Sequence, residues 1–161
     1  MRILALDAGT KTVGVAISDP TGSFATPIIV IRRTKANDDI QRILDLAKRY
    51  EAQRILVGMP ISMSGRLGEQ ARLVEAFVAQ LRKATPIAIE TFDERLTTVE
   101  AERRMREAGL SAEKRRANID AMAATVLLQG YLDSKGAPQH IAKPAESAPQ
   151  QHGRRRPTSR R

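Results

Sequence analysis

Ile3-Leu4-Ala5-Leu6-Asp7-Ala8-Gly9-Thr10-Lys11-Thr12-Val13-Gly14-Val15-Ala16-Ile17 opens the chain and decides its fold. Residues 3–6 form a short, unbroken apolar run, the pattern of a central strand buried on both faces. Gly9 marks a turn, and residues 13–17 read as a second strand. Asp19-Pro20-Thr21-Gly22 is a further turn, and Ile28-Ile29-Val30-Ile31 a third strand. Three strands this close in sequence predict an antiparallel meander.

Beyond the meander the period changes. Ile40, Ile43, Leu44, Ala47 and Tyr50 recur at helical spacing behind Asn37, read as an N-cap. Residues 54–58 are strand four, and a loop rich in Met, Ser and Gly covers 59–68. Val74, Phe77, Val78 and Leu81 mark a second helix, and residues 86–91 strand five. Thr97 and Glu100 have the spacing of a capping box, opening a third helix that ends near Gly109. A basic connector, Lys114-Arg115-Arg116, leads to a last helix whose expected apolar face is Ile119, Met122, Ala123, Val126 and Leu127. The order β-β-β-α-β-α-β-α-α predicts an α/β fold. A five-stranded mixed sheet, the meander plus two further strands, is flanked by helices.

The chain has 161 residues, one domain by size. From Ser134 onward, four prolines, small polar residues and arginines predict a disordered tail, leaving 1–133 as the folded domain and 134–161 as the tail. The net charge of +9 divides unevenly, +6 in residues 134–161 and +3 in 1–133. A basic tail suits a polyanion such as nucleic acid, and equally a solvated terminus. Cysteine is absent, which excludes disulfides and thiolate metal sites. His140 and His152 are the two histidines, both in the tail, so a multi-histidine zinc site is disfavoured. Aromatic residues are 3% of the chain, too few for a single-strand stacking platform. No apolar run reaches signal-peptide or membrane-span length, so the expected location is cytoplasmic, with no membrane contact.

Three acids occupy places where chemistry gathers. Asp7 ends the first strand, where it either caps a turn or faces a site at the carboxyl edge of the sheet. Glu94 follows strand five in Asp93-Glu94-Arg95, where acids also complement a helix dipole. Asp120 opens the last helix and shares a stripe with Ala124, Leu127 and Tyr131, bordering its buried side. Three converging carboxylates repel one another without cations. Mg²⁺ or Mn²⁺ suits them, because hard divalent ions prefer carboxylate oxygens. A two-ion site of this kind hydrolyses phosphodiesters without histidine.

Four segments carry a resemblance. Residues 7–19, Gly58-Met59-Pro60 with Gly65, Asp93-Glu94-Arg95-Leu96-Thr97-Thr98, and Asp120-Ala121-Met122-Ala123-Ala124 running into 127–132 resemble, in order, the motifs of the YqgF family of pre-16S ribosomal RNA nucleases or Holliday junction resolvase-like proteins. The resemblance covers residues 1–133 and implies an RNase H-like fold. It also implies a cytosolic, metal-dependent endonuclease that trims the 5′ end of pre-16S rRNA, with Asp7, Glu94 and Asp120 as catalytic metal ligands. Glu90-Thr91-Phe92 departs from the apolar residues the family usually has there, and the tail has no family counterpart.

Lys11, Arg95, Lys114, Arg115 and Arg116 are candidate phosphate ligands, with solvated or salt-bridged side chains as the competing reading. Asp19 reads as a turn residue, and Gly58-Met59-Pro60 as a loop shaping the site. The expected partner is nucleic acid, precursor rRNA or branched DNA, free or in pre-ribosomal particles, bound by a monomer or homodimer. Two other classes compete. A non-catalytic RNA-binding assembly factor would use the basic segments for affinity alone. A sugar-kinase or actin-like ATPase would need a second domain and a second phosphate loop, which a 133-residue domain lacks.

Overall fold

The computed structural model describes residues 1–61, 68–97 and 119–136, with Arg103 and Glu107 as isolated positions. Five strands run Ile3–Ala8 (β1), Thr12–Ser18 (β2), Ala25–Arg32 (β3), Arg54–Met59 (β4) and Ala88–Asp93 (β5). They form one sheet in the order β3-β2-β1-β4-β5. β1 pairs antiparallel with β2, and β2 with β3, so the meander is as expected. β4 lies parallel to β1, and β5 parallel to β4.

Helices cover both faces, which is why β1 and β4 read as continuous apolar runs. Ala36–Arg49 (α1) and Glu69–Ala84 (α2) pack on one face, where Leu4, Leu6, Val15, Ile55 and Val57 meet Ile43, Val74, Phe77 and Leu81. Ile119–Gly136 (α3) covers the other, where Ile3, Ala5, Ala16 and Leu56 meet Ala124, Leu127, Leu128 and Tyr131. Burying one such Leu, Ile or Val side chain contributes ~1.5–3 kcal/mol. Gln129 of α3 is buried and ties this helix to the meander. Its Oε1 accepts from the Ala25 amide at 3.0 Å, and its Nε2 donates to the Ser23 carbonyl at 3.0 Å.

Several expected boundaries move, each for a local reason. The N-cap of α1 is Lys35, not Asn37. Buried Asp39 governs this end instead, accepting from the Thr34 amide at 2.9 Å and pairing with Arg33 at 3.5 Å. β5 begins at Ala88 rather than Pro86, because Pro86 has no amide and the Ile87 amide donates to Thr85 Oγ1. It ends at Asp93, where Met59 is still its partner. β4 holds Gly58 as expected, opposite Phe92, and runs one residue further to Met59, into the segment read as a loop.

The expected face of the last helix was rotated. Met122 and Val126 are partly covered and Ala123 is exposed, whereas Ala121, Ala124, Leu127, Leu128 and Tyr131 are buried. Apolar residues surround this helix, so periodicity alone does not choose its inner side; the stripe through Ala124, Leu127 and Tyr131 does. The helix also continues past the expected boundary to Gly136, with Ser134 Oγ donating to the Tyr131 carbonyl at 2.7 Å. Of the expected third helix, Arg103 and Glu107 are described, both helical and paired at 3.6 Å; its other residues beyond Thr97, Glu100 of its capping box among them, the connector 114–116, Gly65 and the tail from 137 lie outside the described residues.

Candidate functional site

Strand alternation places Asp7 on the α3 face of β1, in line with Ile3 and Ala5. Its antiparallel partner is Gly14 of β2. On the other side, Gly58 follows Val57, the parallel partner of Leu6. A half-buried carboxylate thus stands between two positions without side chains.

Glu94 reaches this gap from the end of β5. The chain leaves β5 at Asp93 and enters a single 3₁₀ turn, Glu94–Leu96. Asp93 shapes that turn: its Oδ1 accepts from the Arg95 amide at 2.9 Å. Its carboxylate also holds the Arg95 guanidinium, with Nη2 to Oδ2 at 2.7 Å and Nε to Oδ2 at 2.9 Å. Thr97 Oγ1 closes the turn by donating to the Glu94 carbonyl at 2.7 Å. The Glu94 side chain then lies over Gly58. A Cβ at Gly58 would stand 2.9 Å from Glu94 Oε1.

The two acids meet there. Burial, then the negative charge of Asp7 and a hydrogen bond with it, push the Glu94 carboxyl up to about 7. Asp93 moves the other way, its carboxyl held below the ordinary value by its hydrogen bond from Arg95. Near neutral pH the Asp7–Glu94 pair therefore holds a proton that a divalent cation would replace. Two carboxyl groups drawn together at a strand end make a hard-oxygen donor set, which fits Mg²⁺ or Mn²⁺. Among the described residues no group of three metal-ligating side chains is present.

The backbone brings Asp120 to the same end of the sheet. α3 runs against β4: Tyr131 hydroxyl accepts from Arg54 Nη1 at 3.0 Å at the start of that strand, and Leu127 packs at Gly58 near its end. The first turn of α3, with Asp120, follows in the direction of the strands' carboxyl ends. The Asp120 side chain lies outside the described residues.

Lys11 is exposed on the β1–β2 turn, one strand end away from Asp7. That turn is braced from behind: Arg33 Nη1 donates to the Gly9 carbonyl at 2.9 Å, and its guanidinium lies 5.1 Å from the centroid of the Phe77 ring. Arg95 is salt-bridged to Asp93, the competing reading of its charge. Lys114, Arg115 and Arg116 lie outside the described residues. Asp19 is a turn residue at the opposite end of the sheet, accepting from the Ser23 and Phe24 amides at 2.8 and 2.9 Å and from the Thr21 hydroxyl. These bonds hold its carboxyl down at about 2.

The salt-bridged Arg95 was one of the two readings of its charge, whereas the close approach of Glu94 to Gly58 was not read from the sequence. A glycine inside a strand pattern was the available signal for that approach.

Residues 1–134 match the family described as RuvX, Holliday junction resolvase. The chain belongs to this family. A relative from Desulforamulus reducens is 48% identical over 134 residues, 83% of this chain and 98% of its own. One from Moorella thermoacetica is 48% identical over 136 residues, 84% of this chain and 97% of its own. Both have names that assign them provisionally as pre-16S rRNA nucleases. Among solved structures, Thermus thermophilus RuvC in complex with a Holliday junction substrate matches with TM-score 0.57 at 12% identity. The match covers 84% of this chain and 96% of that one. Fowlpox virus resolvase in complex with Holliday junction DNA matches with TM-score 0.51 at 14% identity, over 84% and 99% of the two chains. At these identities the likeness is one of fold, the RNase H-like fold that the resemblance implies and with which the order of strands and helices agrees.

Proposed function

We propose that this RuvX-family chain is a metal-dependent endonuclease acting on structured nucleic acid, with the pre-16S rRNA precursor as its substrate and a four-way DNA junction as the alternative. The observation that carries this reading is the Asp7–Glu94 pair. A fold rarely holds two carboxyl groups in hydrogen-bond contact at a strand end, with one pushed up to about 7, for stability. Such a pair costs stability and supplies a ready cation site.

Asp7, Glu94 and Asp120 are the proposed ligands. Mg²⁺ or Mn²⁺ bound by them would polarise the scissile phosphodiester and lower the pKa of the attacking water. The chain's own contributions are positional. β1 fixes Asp7 rigidly at the centre of the sheet. The Asp93-capped turn fixes Glu94. Lys11, exposed beside them, offers a charge to a neighbouring phosphate. Lys114, Arg115, Arg116 and the basic tail extend that field in the sequence. Arg95 serves the site by holding the turn through Asp93.

A nuclease trimming precursor rRNA works in the cytoplasm, and no helix among the described residues is long and apolar enough to cross a membrane. The test is direct. Protein stripped with EDTA is incubated with labelled pre-16S RNA and with a DNA four-way junction, with and without Mg²⁺ or Mn²⁺. Metal-dependent cleavage of the RNA is expected. Cleavage of the junction alone would move the substrate to DNA. Salt-sensitive binding without cleavage of either would make the chain an assembly factor instead.

A further inference from the structure

Gly58 is enclosed. A Cβ built on it would lie 2.9 Å from Glu94 Oε1, 2.9 Å from Leu127 Cδ2 and 3.3 Å from Glu94 Cγ. The first two distances are shorter than real Cβ contacts. No backbone atom is among these three neighbours; all belong to side chains that turn about their own bonds. Gly58 also sits within β4, where glycine weakens a strand and packs nothing. A left-handed backbone does not explain it, since Gly22 is the glycine with positive φ among the described residues.

Gly130 offers the contrast. It lies in α3, and a Cβ there would meet Thr97 at 3.5 and 3.6 Å, ordinary van der Waals distances. Both glycines border the segment that follows β5, and Gly58 is the one that faces the carboxyl group.

We propose that Gly58 is a positioning residue for the metal site: the space left by its missing side chain is the seat that holds the Glu94 carboxyl against Asp7. This rests on the nuclease reading and deepens it. A methyl group at this position is absorbed by rotation of Glu94 and Leu127, so the protein still folds. The carboxyl group moves away from Asp7, and the site loses a ligand it still possesses chemically. Displacing reacting groups by about 1 Å costs on the order of 10²-fold in rate.

The experiment compares wild type with Gly58→Ala, Gly130→Ala, Glu94→Gln and the double variant Gly58→Ala/Glu94→Gln. Mn²⁺ affinity is measured by calorimetry, and melting temperature reports folding. Expected is a loss of Mn²⁺ affinity of roughly 10–100-fold in Gly58→Ala. Its kcat falls while its KM for nucleic acid is unchanged. Gly130→Ala binds Mn²⁺ like wild type. In the Glu94→Gln background, Gly58→Ala changes Mn²⁺ affinity no further, because the group it displaces is already gone. Wild-type Mn²⁺ affinity in a folded Gly58→Ala, or an equal loss with and without Glu94, overturns the proposal. If Gly58→Ala melts below the calorimetry temperature, the carboxyl ¹³C resonance of Glu94 in the same variant at low temperature replaces calorimetry. A resonance shifted from the wild-type, Asp7-bonded position is expected, and an unshifted one overturns the proposal. Wild type that binds no Mn²⁺ refutes the nuclease reading itself, and the same resonance then decides whether Gly58 seats Glu94.

Discussion

Replacing Glu94 by Gln should stabilise the protein without metal, and only at high pH. The folded state holds the Glu94 carboxyl at about 7, against 4.5 for an ordinary glutamate. Between these values the folded state keeps a proton that the unfolded state has released. Stability therefore falls as pH rises from 4.5 through about 7, and the full penalty applies above that. At full strength a difference of this size corresponds to about 3 kcal/mol. Glu94 is only half-buried and water screens part of the repulsion, so about 1–2 kcal/mol is expected. Gln keeps the shape, carries no charge, and offers its amide to Asp7. In a chain of this length the gain raises Tm by roughly 3–8 °C. The assay is thermal melting in EDTA at pH 8.5 and pH 4.5. The variant should melt higher at pH 8.5 and near wild type at pH 4.5. A gain equal at both pH values, or none at pH 8.5, would refute the reasoning.

Three further outcomes are expected. Glu51 follows α1 with φ 54°, its amide donating to the Lys48 carbonyl while that of Ala52 donates to Ala47; Glu51→Gly should stabilise by about 1 kcal/mol in urea melts. Asp39→Ala leaves the Thr34 amide and Arg33 without their buried acceptor, and should cost about 2–3 kcal/mol by the same measurement. Removing residues 137–161 deletes six basic groups against Glu146. Nucleic-acid binding should weaken and its salt dependence flatten, each lost phosphate contact changing the slope by about 0.9 on duplex DNA; an unchanged slope would assign the tail to solvation.

The fold was legible because its centre is written in the simplest code. The runs at 3–6, 13–17 and 54–58 are apolar almost without interruption, and only strands covered on both faces read this way. The edge strand β5 was less legible. Its partly exposed residues mix Glu90 and Thr91 with Ile89 and Phe92, so pairing with β4 rather than pattern sets its ends. The inner side of α3 was ambiguous for the opposite reason, being apolar nearly all round.

At the site, the acids were individually ambiguous and readable only together. Asp7 sits at a strand end in either reading. Contact with Glu94 supports the site reading, and that contact is long-range, built by sheet order rather than by spacing. The Arg95 charge read equally as a phosphate ligand or as half of a salt bridge, and it pairs with Asp93 two residues away. Asp19 was legible from its own neighbours, since Asp-Pro-Thr-Gly encodes a turn locally.

The central claim is that Asp7 holds the metal on which cleavage depends. The most direct measurement is turnover of pre-16S RNA by Asp7→Asn beside wild type, in Mg²⁺ and in Mn²⁺, with melting curves of both. The account predicts a folded variant, no less stable than wild type, whose metal-dependent cleavage is abolished. Undiminished cleavage by Asp7→Asn would contradict it.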